Sequence, residues 1–199
     1  FGCVAFVTLC SSLVARSQQP PPTGPAGVVP PDRNLPAHIR KLTGFGERAE
    51  FSLDSTRVLF LSKTFGDAME IDLATGVIRN LTAHFPHHGF TRAPYLANAH
   101  ILLSGPTECT PPSVAAARTN CWLFVLDPAG NARPQPLGVK AAEGPVPSRK
   151  RMHIAWSYRA AQFPGGEMPP GSSQMHEADI VYENGTPKLA NRRKILDSR

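Results

Sequence analysis

Two apolar bursts separated by turn-forming residues stand out in the stretch from residue 49 to residue 82. The run RVLFLS at residues 57–62 is apolar almost throughout and is bounded by turn formers, which predicts a strand covered on both faces. In the next run, Met69 and Ile71 alternate with Glu70 and Asp72, which predicts a strand with one buried face. Short segments before and after these runs, joined through polar turns, complete a predicted meander of four strands.

The same order of strands and turns returns twice further along the chain. Residues 93–105 match the first half of the unit, and residues 121–138 match its second half. A third unit ends in two strands joined by Asn184 and Gly185, the strongest hairpin signal in the chain. Units of roughly 40 to 50 residues with four strands each are typical of β-propeller blades.

The sequence therefore predicts an all-β fold, a partial β-propeller of about three four-stranded antiparallel blades. The blades are expected at residues 42–82, 89–139 and 144–199. The third contains a Gly-, Pro- and Met-rich insertion at residues 163–179, which either shapes a binding face or is a disordered excursion. Because propellers typically use 4 to 8 blades, three blades are expected to be an incomplete set.

The first unit resembles the WD40-like repeat of TolB-type periplasmic propellers. The matching positions are Leu42, Thr43, Phe51, Ser52, Asp54, Leu81 and Thr82. Leu53 stands where the family carries proline, and Ser55 stands where it carries glycine, so the turn departs from the family pattern. The resemblance covers about residues 42–196 and weakens from the first unit to the third. It implies a propeller that is incomplete at both ends.

Two segments precede the predicted blades. Residues 1–17 form an apolar run ending in small residues, which predicts a signal-peptide-like segment and a periplasmic or secreted protein. A lipoprotein anchor at Cys10 and an ordinary buried segment are the alternatives. Residues 18–41 are rich in Pro and Gly without periodicity, which predicts a semi-extended linker. No stretch is long and apolar enough to predict a transmembrane span.

Two of the four cysteines lie within the predicted propeller. Cys109 and Cys121 bracket a loop, and in an exported chain this predicts a disulfide between them. Two unlinked thiols are the alternative. A zinc site is disfavoured, because no second pair of ligands stands at zinc spacing.

The charge distribution and the motifs limit which functions the sequence can support. The net charge is +6, from 21 Lys and Arg against 15 Asp and Glu, and the basic residues are scattered, which argues against nucleic-acid binding. The sequence contains no nucleophile elbow, Walker loop or dinucleotide fingerprint, so we predict no catalytic residue and no cofactor. His84, His87 and His88 are candidate metal ligands. Asp67 and Asp72 are expected to be structural.

Three hypotheses for function remain at this stage. The first is an exported TolB-like propeller that acts as a scaffold binding a protein, peptide or other ligand, with no catalysis of its own. The second is the substrate-screening propeller of a prolyl-oligopeptidase-like serine peptidase, whose catalytic domain would lie beyond residue 199. The third is a metal-dependent propeller enzyme that uses the three histidines.

Overall fold

A computed structural model describes residues 33–107, 114–142 and 144–198. The signal-like segment and Cys109 lie outside these residues. The chain divides between Lys41 and Leu42 into two units, and all the strands that the structure describes belong to the second. The strands are β1 (Glu47–Phe51), β2 (Arg57–Leu61), β3 (Ala68–Asp72), β4 (Ile78–Asn80), β5 (Ile101–Pro106), β6 (Cys121–Leu126), β7 (Gln135–Lys140), β8 (Val146–Pro147), β9 (His153–Arg159), β10 (Ser173–Glu183) and β11 (Thr186–Ser198). One α-helix, α1 (Val114–Thr119), and a 3-10 turn at Ala160–Gln162 complete the described elements.

The strands form three antiparallel meanders in chain order. Sheet 1 contains β1 to β4, sheet 2 contains β5 to β7, and sheet 3 contains β8 to β11. Each strand pairs with its neighbour in sequence, as in a propeller blade. The predicted all-β fold of successive antiparallel sheets is confirmed.

The turn between β1 and β2 forms although the family's proline and glycine are missing. The Asp54 carboxylate accepts hydrogen bonds from the hydroxyl of Ser52 (2.6 Å) and from the backbone N–H and the hydroxyl of Thr56 (3.1 and 2.8 Å). These bonds, led by that from Ser52, lower the pKa of Asp54 to about 2. Ser55 takes the left-handed conformation (φ 58°) in which glycine is usual. Side-chain hydrogen bonds thus close the turn.

Sheet 2 has three strands where four were expected. The segment before β5 forms no continuous strand; isolated bridges, between Arg92 and Ser104 and between Tyr95 and Ile101, join it to β5. Pro94 lies between these bridges; its carbonyl accepts from the N–H of Leu102 (2.8 Å), but its own nitrogen has no proton to donate. A continuous ladder therefore cannot form through Pro94.

The predicted insertion in the third unit is shorter in the structure. β10 begins at Ser173, so the second half of residues 163–179 is strand rather than a disordered excursion. β10 and β11 then form the predicted hairpin, with Glu183 opposite Thr186. Asn184 and Gly185 both have positive φ (51° and 79°), as a type I′ turn requires.

The connection between β5 and β6 contains the short helix α1. Cys121 follows it as the first residue of β6 and is buried. Because the structure does not describe Cys109, the Cys109–Cys121 disulfide stays a prediction.

Sheet 2 is covered on both faces. Leu103 of β5 belongs to one buried cluster with Leu59 and Leu61 of sheet 1. Its neighbour Leu102 points to the opposite face and belongs to a second cluster with Trp156 of sheet 3. Adjacent strand residues thus contribute to different cores, as expected for stacked blades.

Residues from the second and third repeats contact Glu50 on β1. Its carboxylate accepts a hydrogen bond from the backbone N–H of Tyr95 (3.3 Å) and one from the guanidinium of Arg149 (3.0 Å), which follows β8. Arg149 also donates to the carbonyl oxygens of Phe51 and Ser52. Burial raises the pKa of Glu50, an effect that Arg149 opposes. These contacts join residues from all three repeats at one edge.

Candidate functional site

The histidine loop lies between sheets 1 and 2. His87 Nε2 donates to Asp67 Oδ1 (3.0 Å), and its Nδ1 accepts the backbone N–H of Gly89 (2.9 Å). His84 Nε2 donates to the carbonyl oxygen of Ala132 (3.1 Å), and His88 is exposed. The three imidazoles therefore do not converge. Across the residues the structure describes, no group of three His, Cys, Asp or Glu side chains could hold a metal ion.

Asp67 fixes the orientation of His87. It precedes β3, twenty residues before the histidine in sequence, and also accepts a hydrogen bond from the Thr82 hydroxyl (2.9 Å). Because Nδ1 of His87 accepts from Gly89, the proton of the neutral ring lies on Nε2 and is shared with Asp67. The ring packs between Phe85 and Phe90, with centroids 5.3 and 4.8 Å away.

Gly89 is required for the path of this loop. Its φ is 80°, and a Cβ at this position would lie 2.0 Å from the carbonyl oxygen of Phe65. Neither the conformation nor the space permits a side chain. Position 89, whose backbone N–H orients His87, must therefore be glycine.

A pocket of about 210 Å³ opens beside this loop. We call it the proline–phenylalanine pocket, because its apolar lining consists of Phe85, Phe90, Phe124, Pro86, Pro106 and Pro134. Phe85 and Phe90 are buried and belong to the core between sheets 1 and 2. The core thus fixes part of the wall, which makes the pocket preformed.

Among the residues that the structure describes, the polar part of the pocket lining carries no carboxylate. It consists of His87, His88, Thr107 and Arg133. Arg133 is exposed and makes no ion pair with any residue that the structure describes. The hydrogen bond from His84 to Ala132 holds the backbone next to Arg133 against the histidine loop. The pocket therefore combines an apolar interior with a positively charged rim.

A second, larger cleft of about 540 Å³ contains a buried carboxylate. Glu70 on β3 is 2% exposed, although the alternation in the sequence predicted that it faces solvent. It accepts a hydrogen bond from the Tyr95 hydroxyl (2.6 Å) and pairs with Arg79, and Arg57 Nε lies 3.9 Å away. Burial and the Glu70 carboxylate raise the pKa of Tyr95, which keeps its proton. This network links sheet 1 to the segment before sheet 2.

A third group of polar residues lies on sheet 3. His153 contacts Asp179 through Nδ1 (2.7 Å) and Glu177 through Nε2 (3.4 Å). Asn191 donates to Asp179 and Arg193 donates to Glu177, and these bonds lower the pKa of both carboxyl groups. The carboxylates already have partners within the sheet, so the group acts as a structural network.

Asp72, the other acid singled out in the sequence, is the last residue of β3 and closes the turn that follows. Asp72 Oδ1 accepts from the backbone N–H groups of Ala74 (3.1 Å) and Thr75 (2.8 Å), and these bonds with the Thr75 hydroxyl lower its pKa. These bonds give Asp72 a structural role in closing the turn after β3. Among the described residues, no helix is long and apolar enough to cross a membrane.

Two solved structures resemble the chain. A protein assigned as TolB from Agrobacterium tumefaciens is 14% identical with a TM-score of 0.49, and the match covers 78% of this chain and 51% of that one. TolB from Acinetobacter baumannii is 18% identical with a TM-score of 0.49, and the match covers 69% of this chain and 31% of that one. The chain thus spans about half of the first and about a third of the second.

Both structures carry the name TolB, the first by assignment, and the likeness to this chain concerns the fold alone. No protein-family model and no curated protein sequence matches the chain.

Proposed function

We propose that the chain is part of an exported propeller scaffold that binds a protein partner, with the proline–phenylalanine pocket as a docking site and no catalysis of its own. The observation that carries the proposal is the pocket itself, an apolar and aromatic cavity beside a loop whose backbone is fixed. Loops held by a rigid sheet scaffold are the usual place for binding residues. Aromatic side chains and arginine are also enriched at protein interfaces.

The size of the pocket suits a side chain rather than a whole small molecule. Its volume of about 210 Å³ is below the roughly 300–1,000 Å³ that is typical of small-molecule sites. Burying one large apolar side chain contributes about 1.5–3 kcal/mol. One such contact gives weak binding, so a partner would need further contacts along the surface of the scaffold.

Export is the second part of the proposal. It is supported by the signal-like composition of residues 1–17, and the predicted Cys109–Cys121 disulfide would be stable in the oxidising compartment that export implies. A periplasmic or secreted location follows from the same features. No observation on the described residues favours the peptidase hypothesis over the scaffold.

Selection of displayed random peptides on the whole chain tests the docking site. We expect the selected peptides to lose about ten-fold or more in affinity when Thr107→Trp fills the pocket mouth, since about 1.4 kcal/mol corresponds to ten-fold. The matched control is Thr186→Trp, an exposed position on β11 where an aromatic residue suits a strand. Affinity for this control should stay within about two-fold of the wild type.

Two outcomes would overturn the docking site. One is a set of selected peptides that bind both variants equally, which would place the binding surface elsewhere. The other is a failure to enrich any peptide against the wild-type chain.

A further inference from the structure

We infer that the proline–phenylalanine pocket recognises an acidic protein segment, in which a large apolar side chain fills the pocket and a neighbouring Asp or Glu side chain pairs with Arg133. This inference rests on the proposed docking function and adds the chemistry of the partner. The occupant is an extended, internal segment of another protein.

The apolar half of the inference follows from the lining. Phe85, Phe90 and Phe124 supply aromatic surface, and three prolines supply the rest of the apolar wall. Both ring nitrogens of His87 are used by Asp67 and Gly89. The His87 ring therefore offers a flat surface packed on Phe90 rather than a free hydrogen-bonding group. A large apolar side chain is the group that such a wall binds best.

The acidic half follows from the charge around the mouth. None of the ten lining residues is Asp or Glu. The Asp67 carboxylate, which contacts the histidine loop from the segment before β3, is not part of the lining, and its Oδ1 already accepts hydrogen bonds from His87 and Thr82. The Arg133 guanidinium has no ion-pair partner on the described part of the chain. The planar guanidinium can donate two parallel N–H hydrogen bonds to the two oxygens of a carboxylate.

The position of Arg133 is set by backbone contacts. It lies in the connection between β6 and β7, and His84 fixes the preceding residue through the carbonyl of Ala132 (3.1 Å). Pro134 follows it and forms part of the pocket wall. The backbone at Arg133 is therefore held at the edge of the apolar surface, and its side chain lines the pocket. The net charge of +6 also favours the approach of an acidic partner at low salt.

Four short peptides, acetylated and amidated so that their ends are neutral, test this chemistry. They share a Gly/Ser background and carry Phe-Glu, Phe-Gln, Phe-Lys or Ala-Glu at the centre. Because one pocket contact gives weak binding, an NMR chemical-shift titration of the whole chain, which measures millimolar affinities, should give the tightest binding for Phe-Glu. We expect Phe-Gln to bind about two- to five-fold more weakly, as for an exposed ion pair, and Ala-Glu about ten-fold or more weakly.

Charge reversal identifies the residue responsible. With Arg133→Glu, the preference between the Phe-Glu and Phe-Lys peptides should invert. Lys150→Glu, at an exposed position in the turn between β8 and β9, changes the net charge equally and should leave the preference intact. Far-UV circular dichroism and the thermal midpoint of each variant check that both remain folded. The advantage of Phe-Glu should also shrink as salt is raised.

Each alternative result has a defined meaning. Equal binding of Phe-Glu and Phe-Gln, or an equal effect of Lys150→Glu and Arg133→Glu, overturns the acidic preference while leaving the docking site in place. Tighter binding of a peptide ending in a free Phe carboxylate overturns the choice of an internal acidic side chain. If none of the peptides binds, the inference is wrong, and the displayed-peptide selection judges the proposed function independently.

Discussion

Replacing Leu103 by Ala is expected to lower the free energy of unfolding by about 2–5 kcal/mol, the usual cost of a cavity in a packed core. Leu103 has no exposed surface and lies with Leu59 and Leu61 between sheets 1 and 2. The loss combines the transfer free energy of the removed atoms with the cavity that they leave. Urea unfolding, monitored by circular dichroism, measures the change through the transition midpoint.

The controls for Leu103→Ala use the fact that both faces of sheet 2 are buried. Leu102→Ala, on the opposite face of β5, should cost a similar amount, because Leu102 is also fully buried. Val146→Ala should change the free energy of unfolding by less than about 0.5 kcal/mol, because Val146 is 71% exposed. If the alanine substitution of either leucine changed the free energy of unfolding as little as Val146→Ala does, one face of sheet 2 would be open to solvent. The proposed stacking of the sheets would then be incorrect.

Replacing Tyr95 by Phe is expected to cost about 1.5–3 kcal/mol, the range for a hydrogen bond to a charged group. The hydroxyl of Tyr95 donates to Glu70 Oε1 (2.6 Å), and Glu70 is 2% exposed. The substitution removes the hydrogen bond to a buried carboxylate oxygen but keeps the aromatic ring, so it creates almost no cavity. The same urea measurement at neutral pH gives the loss.

Tyr182→Phe provides the matched control. The Tyr182 hydroxyl bonds to Asn98 (3.2 Å) and to His100 (2.8 Å), but the residue is 38% exposed and water can replace these partners. We expect a loss of less than about 1 kcal/mol. An equal loss for the two substitutions would show that the link between Glu70 and Tyr95 adds nothing beyond an ordinary surface hydrogen bond.

Local sequence patterns were sufficient to predict most of the strands. The apolar run of β2, the turn at Asp54 and the Asn184–Gly185 hairpin all appear where the sequence places them. Each of these signals depends on neighbouring residues, so it can be read without knowledge of the tertiary structure. The incomplete pairing before β5 had a local cause as well, since Pro94 is visible in the sequence.

Environments that depend on distant residues could not be predicted in this way. Alternation placed Glu70 towards solvent, but Tyr95 from the next repeat and Arg79 from β4 pair with it in the interior. Phe51 and Tyr95 occupy matching positions in the repeat, yet Phe51 is 54% exposed and Tyr95 only 2%. Similar sequence positions thus acquire different surroundings when the sheets stack.

The candidate site also depends on residues that are distant in sequence. The sequence singled out the histidine loop for its possible metal ligands, whereas the structure uses His87 and His84 to fix the loop next to a pocket. Arg133 and Phe124 come from the following repeat, and nothing in the local pattern connects them to the histidines. The spacing of the histidines drew attention to this loop, and the packing of the sheets determines which residues surround it.

Nuclear Overhauser contacts between assigned methyl groups test the stacking of the sheets most directly. We predict contacts from the methyl groups of Ile101 or Leu103 to those of Leu59 or Leu61, and from those of Leu102 or Val125 to those of Ile154 or Ile180. These contacts would place sheet 2 between sheets 1 and 3. Contacts from Leu102 and Leu103 to the same neighbouring sheet, or to neither, would contradict the arrangement from which the pocket and its proposed function derive.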